Sequence, residues 1–145
     1  MRLSTQPLAV VLDTNVWLDI LVFDDPRCTE LSRALQDNRC VALMSNACEE
    51  ELRFVAARAH LRDRKADLDW RLKDTLARVR HIDPHVPPHV PRCRDASDQK
   101  FIELAVGGNA VALISKDRAV LKLARKLAPL MVMAPGGVLD DLLVL

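Results

Sequence analysis

Tyrosine is absent from this chain, and aromatic residues make up only 3% of it: Trp17, Phe23, Phe54, Trp70 and Phe101. So few rings argue against extensive base stacking and leave no basis for predicting a sequence preference of that kind. Long apolar runs are also missing. None approaches the roughly 20 residues that cross a bilayer, so no membrane association is expected. The N-terminus, Met1 to Pro7, lacks the apolar stretch and small-residue cleavage site of an export signal, and a cytoplasmic location is the expectation. Cys28, Cys40, Cys48 and Cys93 form no CxxC pair and keep no regular spacing, so they read as free, mostly buried thiols. Net charge is only +1, and bulk electrostatics alone give no reason to expect a nucleic-acid partner.

What remains is an ordinary globular composition. Half of the 145 residues are hydrophobic and 28% are charged, which suits one domain over residues 1–145 with a proper core. The charges are unevenly placed. Asp13 to Glu51 carries nine acids against three bases, while Arg58 to His81 carries eight Lys/Arg against four acids. An acidic pole beside a basic arm suits a cation site flanked by a phosphate-contacting surface; two solvated helices of different charge habit would look the same.

Leu8 to Leu12 is a continuous apolar run and reads as a buried strand. Helices are expected over Val16–Val22, stopped by Asp24-Asp25-Pro26, and over Cys28–Asp37. Val41 to Met44 is the next strand, with Ser45 or Asn46 capping a helix that continues to about His60. Residues 63–81 place Leu68, Leu72, Leu76 and Val79 on one helical stripe. Pro84, Pro87, Pro88 and Pro91 then impose a stiff loop inside the domain. Ser97 is expected to cap a helix to about Val106, followed by a strand over Val111–Ser115, a helix over Arg118–Leu127, a strand over Leu130–Met133 and a short helix over Val138–Leu143. Strands that are apolar throughout and alternate with helices predict an α/β fold with a parallel sheet covered on both faces. Ligands of such sheets bind outside the carboxyl ends of the strands.

Asp13 and Asp117 each fall at or just beyond such an end. Taken singly, each acid has a plain structural use. Asp13 and Asp117 suit helix N-caps, and Asp98 suits the first turn of a helix through its dipole. Glu51 sits beside Glu49 and Glu50 on what could be a solvated helix face. Helix phase selects among the three, because Glu51 lies one turn before Val55 and borders the buried stripe, whereas Glu50 projects elsewhere. Carboxylates gathered in a partly desolvated pocket repel strongly unless cations neutralise them, and hard divalent ions such as Mg²⁺ or Mn²⁺ are the natural partners.

The ordered set Leu12-Asp13-Thr14-Asn15-Val16, then Ser45 with Glu51-Leu52, then Asp95-xx-Asp98-xx-Phe101-Ile102-x-Leu104-Ala105, then Ser115-x-Asp117 resembles the PIN-domain family. The resemblance is nearest to its prokaryotic toxin–antitoxin ribonucleases of the VapC-like subgroup, and it extends over nearly the whole chain. It implies a three-layer α/β/α sandwich with a central parallel sheet and metal-dependent cleavage of RNA. By position it implies Asp13, Glu51, Asp98 and Asp117 as catalytic and metal-binding acids, with Asn15, Ser115 and Asp95 in support. It also implies homodimers and a small antitoxin partner. One departure stands out: many relatives carry a further acid two residues after the Asp117 position, where this chain has Ala119.

Two other α/β chemistries begin with an Asp at the end of the first strand. Haloacid-dehalogenase-like phosphatases need Asp-x-Asp, and Asn15 fills the second place; receiver domains need an acidic pair before the strand-end Asp, which is missing. His81, His85, His89 and Cys93 recur every four residues as a zinc stripe on a helix would, but the prolines among them forbid the helix.

The expectation is therefore an endoribonuclease using Mg²⁺ or Mn²⁺, with Arg71, Lys73, Arg78 and Lys116 contacting RNA phosphates. The alternative is a non-catalytic PIN-like module for RNA or protein binding, which would leave the acid cluster as an unused cost to stability. For the dimer, Trp17, Leu21, Phe23 and Leu35, with the helix around Leu52 to Leu61, offer apolar surface beyond the needs of one core.

Overall fold

The structure, a computed structural model, describes residues 6–59, 65–137 and 142. Strand β1 (Leu8–Leu12) leads into α1 (Thr14–Leu21), and a 3-10 turn at Pro26–Cys28 precedes α2 (Thr29–Gln36). Strand β2 (Cys40–Met44) is followed by α3 (Asn46–Ala59), α4 (Lys65–Arg78) and β3 (Arg80–His81). A 3-10 turn at Ala96–Asp98 opens α5 (Gln99–Gly107); β4 (Ala112–Ile114), α6 (Arg118–Leu121), α7 (Ala124–Leu127) and β5 (Met131–Met133) complete the series. A last 3-10 turn occupies Pro135–Gly137. The terminal helix expected over Val138–Leu143 lies outside the described residues except for Leu142, which is fully buried.

The five strands form one parallel sheet in the order β3-β2-β1-β4-β5. Chain progression runs to one side of β1 as far as β3, then crosses to the other. With right-handed connections the helices of the two halves fall on opposite faces, which gives the three layers of an α/β/α sandwich. β1 lies centrally, and Val10, Val11 and Leu12 are almost completely buried. The crevice where strand order reverses opens beside the carboxyl ends of β1 and β4, the place where such sheets hold ligands.

Several boundaries differ from the sequence reading. Residues 80–81, expected within a helix, instead pair with Leu43 and Met44 of β2. The expected helix over Arg118–Leu127 is two short segments. Trp17 and Leu21, expected as spare apolar surface, are each only 4% exposed and belong to the core, because α3 and α4 pack against α1. Among the described residues, the exposed large apolar side chains are Phe23, Phe54, Trp70 and Val86. Leu35 is partly buried, and Leu61 lies outside the described residues.

The proline-rich connection between β3 and α5 is held at several points. Asp83 Oδ1 accepts from the Asn46 amide at 3.2 Å, at the start of α3. At the far end, Gln99 Oε1 accepts from the Cys93 amide at 2.7 Å and Gln99 Nε2 donates to the Pro91 carbonyl at 3.1 Å. Between them the chain passes so close to α5 that a Cβ on Gly107 would lie 3.0 Å from the His85 carbonyl oxygen.

Candidate active site

Register alone brings the first two site residues together. Leu12 pairs with Ile114, so the residues that follow, Asp13 and Ser115, emerge side by side at the sheet edge. Asp13 Oδ1 caps α1 by accepting from the Val16 amide at 2.9 Å, and Oδ2 accepts a short hydrogen bond from the Ser115 hydroxyl. Ser115 Oγ in turn accepts from the Asp117 amide at 3.0 Å, and Asp117 caps α6 by accepting from the Ala119 amide at 2.7 Å. Ser115 is fully buried and Asp13 only 4% exposed. Burial pushes the Asp13 carboxyl above its ordinary range, against the lowering effects of Ser115, the Val16 amide and Lys116; the Asp117 charge adds to the rise.

The third element arrives from the proline-rich side. Asp95 Oδ1 accepts from the Ser97 amide at 3.0 Å and from its hydroxyl at 2.7 Å, so Asp95 opens this turn where Ser97 was expected as the cap. Those bonds hold Asp95 below the usual carboxylate range. Asp98 follows in the same turn. Each of Asp95, Asp98 and Asp117 offers a carboxylate oxygen, and these three atoms lie within 4.8 Å of one another. Asp98 is pushed up to about 7, by burial first, then by contact with the Asp117 carboxyl and by the charges of Asp117, Asp95 and Asp13. Its Oδ2 is buried without a hydrogen-bond partner.

The donor set fits a hard cation. Every donor is a carboxylate oxygen, and two ligands on opposite sides of Mg²⁺ at about 2.1 Å lie about 4.2 Å apart, close to the spread observed. A buried oxygen with no partner needs a cation or proton to compensate its desolvation.

Glu51 points into the same region from α3, while Glu50 is exposed. Glu51 Oε2 accepts a short hydrogen bond from Thr14 Oγ1, and Oε1 lies 2.8 Å from Lys100 Nζ. Two of these partners were missed in the sequence. Thr14 is buried where Asn15, expected as the polar neighbour, is exposed. Lys100 lies two residues beyond Asp98 on the first turn of α5, a placement that puts its ammonium against Glu51 and lets its charge lower the pKa of Asp95. The spacing Asp98-x-Lys100 was the available signal.

The other cations named from sequence lie elsewhere or are already paired. Lys116 Nζ sits 2.5 Å from Asp19 on α1. Arg71 contacts Asp24 at 2.9 Å, Asp67 at 3.1 Å and the Leu21 carbonyl at 3.3 Å, at the opposite end of α1 from Asp13. An eight-residue helix separates those ends by about 12 Å. Arg78 pairs with Asp74 at 3.2 Å, and Lys73 is exposed. Arg71, Asp74 and Arg78 line a cavity of about 330 Å³ together with Trp70, Leu35 and Val41. In the proline-rich stretch, His81 belongs to β3 with Nε2 3.1 Å from the Leu76 carbonyl, His85 and His89 are exposed, and Cys93 is buried.

A parallel α/β/α sandwich with carboxylates gathered at the switch of strand order defines the class: an acidic-site protein of the PIN type. The PIN-domain family model matches residues 9–119, and the chain belongs to the PIN-domain family. In fold it is similar to a chain of the crystal structure of VapBC2 from Rickettsia felis bound to a DNA fragment from their promoter. That similarity has a TM-score of 0.59 at 15% identity, covering 86% of this chain and 97% of the other. No curated protein matches the chain in sequence. Among the described residues no helix is long and apolar enough to cross a membrane.

Proposed function

We propose that this protein is a metal-dependent endoribonuclease and the toxin component of a toxin–antitoxin pair. The observation that carries the reading is the trio Asp95, Asp98 and Asp117, with the unpartnered buried oxygen of Asp98, next to Asp13 at the switch of strand order. Family membership and the likeness to a VapBC2 chain support it. Asp98 and Asp117 would hold the cation, Mg²⁺ or Mn²⁺, with Asp13 and Asp95 beside them. When bound, such an ion lowers the pKa of a water molecule and offsets the negative charge of a phosphodiester. The chain's own work is preorganisation. Ser115 fixes Asp13 and the Asp117 amide at once, and two N-capping bonds keep Asp13 and Asp117 from turning away. An acidic pocket also invites an inhibitor's Arg or Lys, which is how a small antitoxin would silence it.

Calorimetric titration with Mn²⁺, together with cleavage of single-stranded RNA by wild type and Asp98→Asn, tests the enzyme reading. One saturable Mn²⁺ site and metal-dependent cleavage, both lost in Asp98→Asn, are expected; equal cleavage by the two proteins would sink it. A small DNA-binding protein encoded next to this gene and co-purifying with its product is expected for the antitoxin. A homodimer, built on a surface that includes Phe23 and Phe54, is expected to scatter light at twice the 16.2 kDa of one chain.

A further inference from the structure

Glu51 differs from the other acids in its surroundings. Asp95, Asp98 and Asp117 face one another, whereas both oxygens of Glu51 are engaged, one by the Thr14 hydroxyl and the other by Lys100 at 2.8 Å. Lys100 is equally committed. Its ammonium also donates to the Ser97 carbonyl at 2.5 Å and lies 5.1 Å from the centre of the Phe101 ring. Its side chain is 24% exposed, so it is mostly covered yet still open to solvent. Asp98 is the N-cap of α5 and Lys100 lies in its first turn, so the two residues that flank Gln99 bring an acid of the trio and a cation together. A carboxylate that neutralises a lysine is a poor ligand for a second positive ion, because the two cations would compete for the same oxygens.

Resting on the nuclease reading, we propose that Glu51 is not a metal ligand but the seat of Lys100, and that the Lys100 ammonium binds the substrate phosphate as a built-in second cation. The site then works with a single divalent ion. Lys100 touches a non-bridging phosphate oxygen and is a catalytic residue; Glu51 and Thr14 are positioning residues that act through it. This arrangement also answers the basic arm expected from the sequence, since Arg71 and Arg78 lie in ion pairs on α4 while Lys100 meets Glu51 and its charge reaches Asp95.

Mn²⁺ titrations and RNA cleavage on the full chain separate the possibilities, with melting temperatures confirming that each variant folds. Glu51→Gln is expected to keep the single Mn²⁺ site with affinity within about threefold of wild type, yet to cleave poorly. Lys100→Met is expected to lose about a hundredfold in cleavage rate, the scale of removing one preorganised charge donor, and Lys100→Arg to recover at least tenfold of it. Loss of the Mn²⁺ site in Glu51→Gln would make Glu51 a ligand and overturn the inference while leaving the nuclease reading intact. Wild-type cleavage by Lys100→Met would overturn it as well, and decides alone should Glu51→Gln not fold. No Mn²⁺ site in wild type would overturn the nuclease reading itself, and this inference with it.

Discussion

At the start of α1, Asp13 shares its surroundings with Asp98 and Asp117, and there the acids outnumber the neighbouring cations Lys100 and Lys116. At the other end of the same helix Asp24 faces Arg71, Arg71 also faces Asp67, and Arg78 faces Asp74. Both regions are rich in charge, but only one is balanced. The balanced end behaves as ordinary surface, where exposed ion pairs contribute at most about 1 kcal/mol each. The unbalanced end raises the carboxyl of Asp98 to about 7 and leaves one of its buried oxygens without a partner. Uncompensated charge persists in a fold when something outside the chain completes it.

The strongest way to break this contrast is to remove charge at the acidic end. Asp98→Asn and Asp117→Asn are each expected to lower RNA cleavage by at least about a hundredfold. Without metal, Asp98→Asn should also melt higher than wild type, at about 3 °C for each kcal/mol of repulsion relieved in a chain of this size. A lower melting temperature in calorimetry would show that the acids are not in conflict.

Titration sharpens the contrast next. Asp98 has its pKa raised by folding, so its contribution to stability is full below about 3.8 and is lost as pH climbs through about 7. Metal-free wild type is therefore expected to lose melting temperature between pH 5 and pH 8 more than Asp98→Asn does. Saturating Mn²⁺ should reverse the trend, because the ion needs the deprotonated carboxylate. Parallel pH profiles for the two metal-free proteins would refute the assignment of the shift to Asp98.

At the balanced end, replacing Arg71, Lys73 and Arg78 together by Ser is expected to cost about 1–2 kcal/mol in urea unfolding, since two of them hold exposed ion pairs. The salt dependence of RNA binding should not change. A slope flattened by about 0.7 per lost residue would instead make this arm a phosphate-binding surface. The smallest effect is reserved for His85→Ala with His89→Ala. Both side chains are exposed, and neither metal content by elemental analysis nor cleavage should move.

The strand ends were readable because Asp13 closes one apolar run and Asp117 follows shortly after another, and a buried parallel strand shows itself as an uninterrupted run. The phase of Glu51 was readable from Leu52 and Val55. What escaped was set by tertiary contact. β3 has two residues, too few for periodicity, and exists because Leu43 and Met44 offer an open edge. Thr14 and Asn15 are equally polar, and only the direction of the first turn of α1 decides that Thr14 faces Glu51. Trp17 and Leu21 looked like surplus on a short helix, but α3 and α4 close over α1 and bury them. Lys100 had only its spacing from Asp98 to mark it, and gained meaning when Glu51 came to meet it from α3.

The proline-rich connection, anchored at Asp83 and again at Gln99 and passing close to Gly107 between them, leaves Val86 to His89 exposed. Loop closure then makes it a graft point. The ends of that short span are fixed by bonds that do not involve its interior, and doubling its length costs only about 0.6 kcal/mol of closure entropy. A tag or fluorescent peptide inserted between Pro88 and His89 should leave Asp95 and Asp98 where Gln99 holds them. The same chain could then report on its own acidic site from a position that takes no part in it.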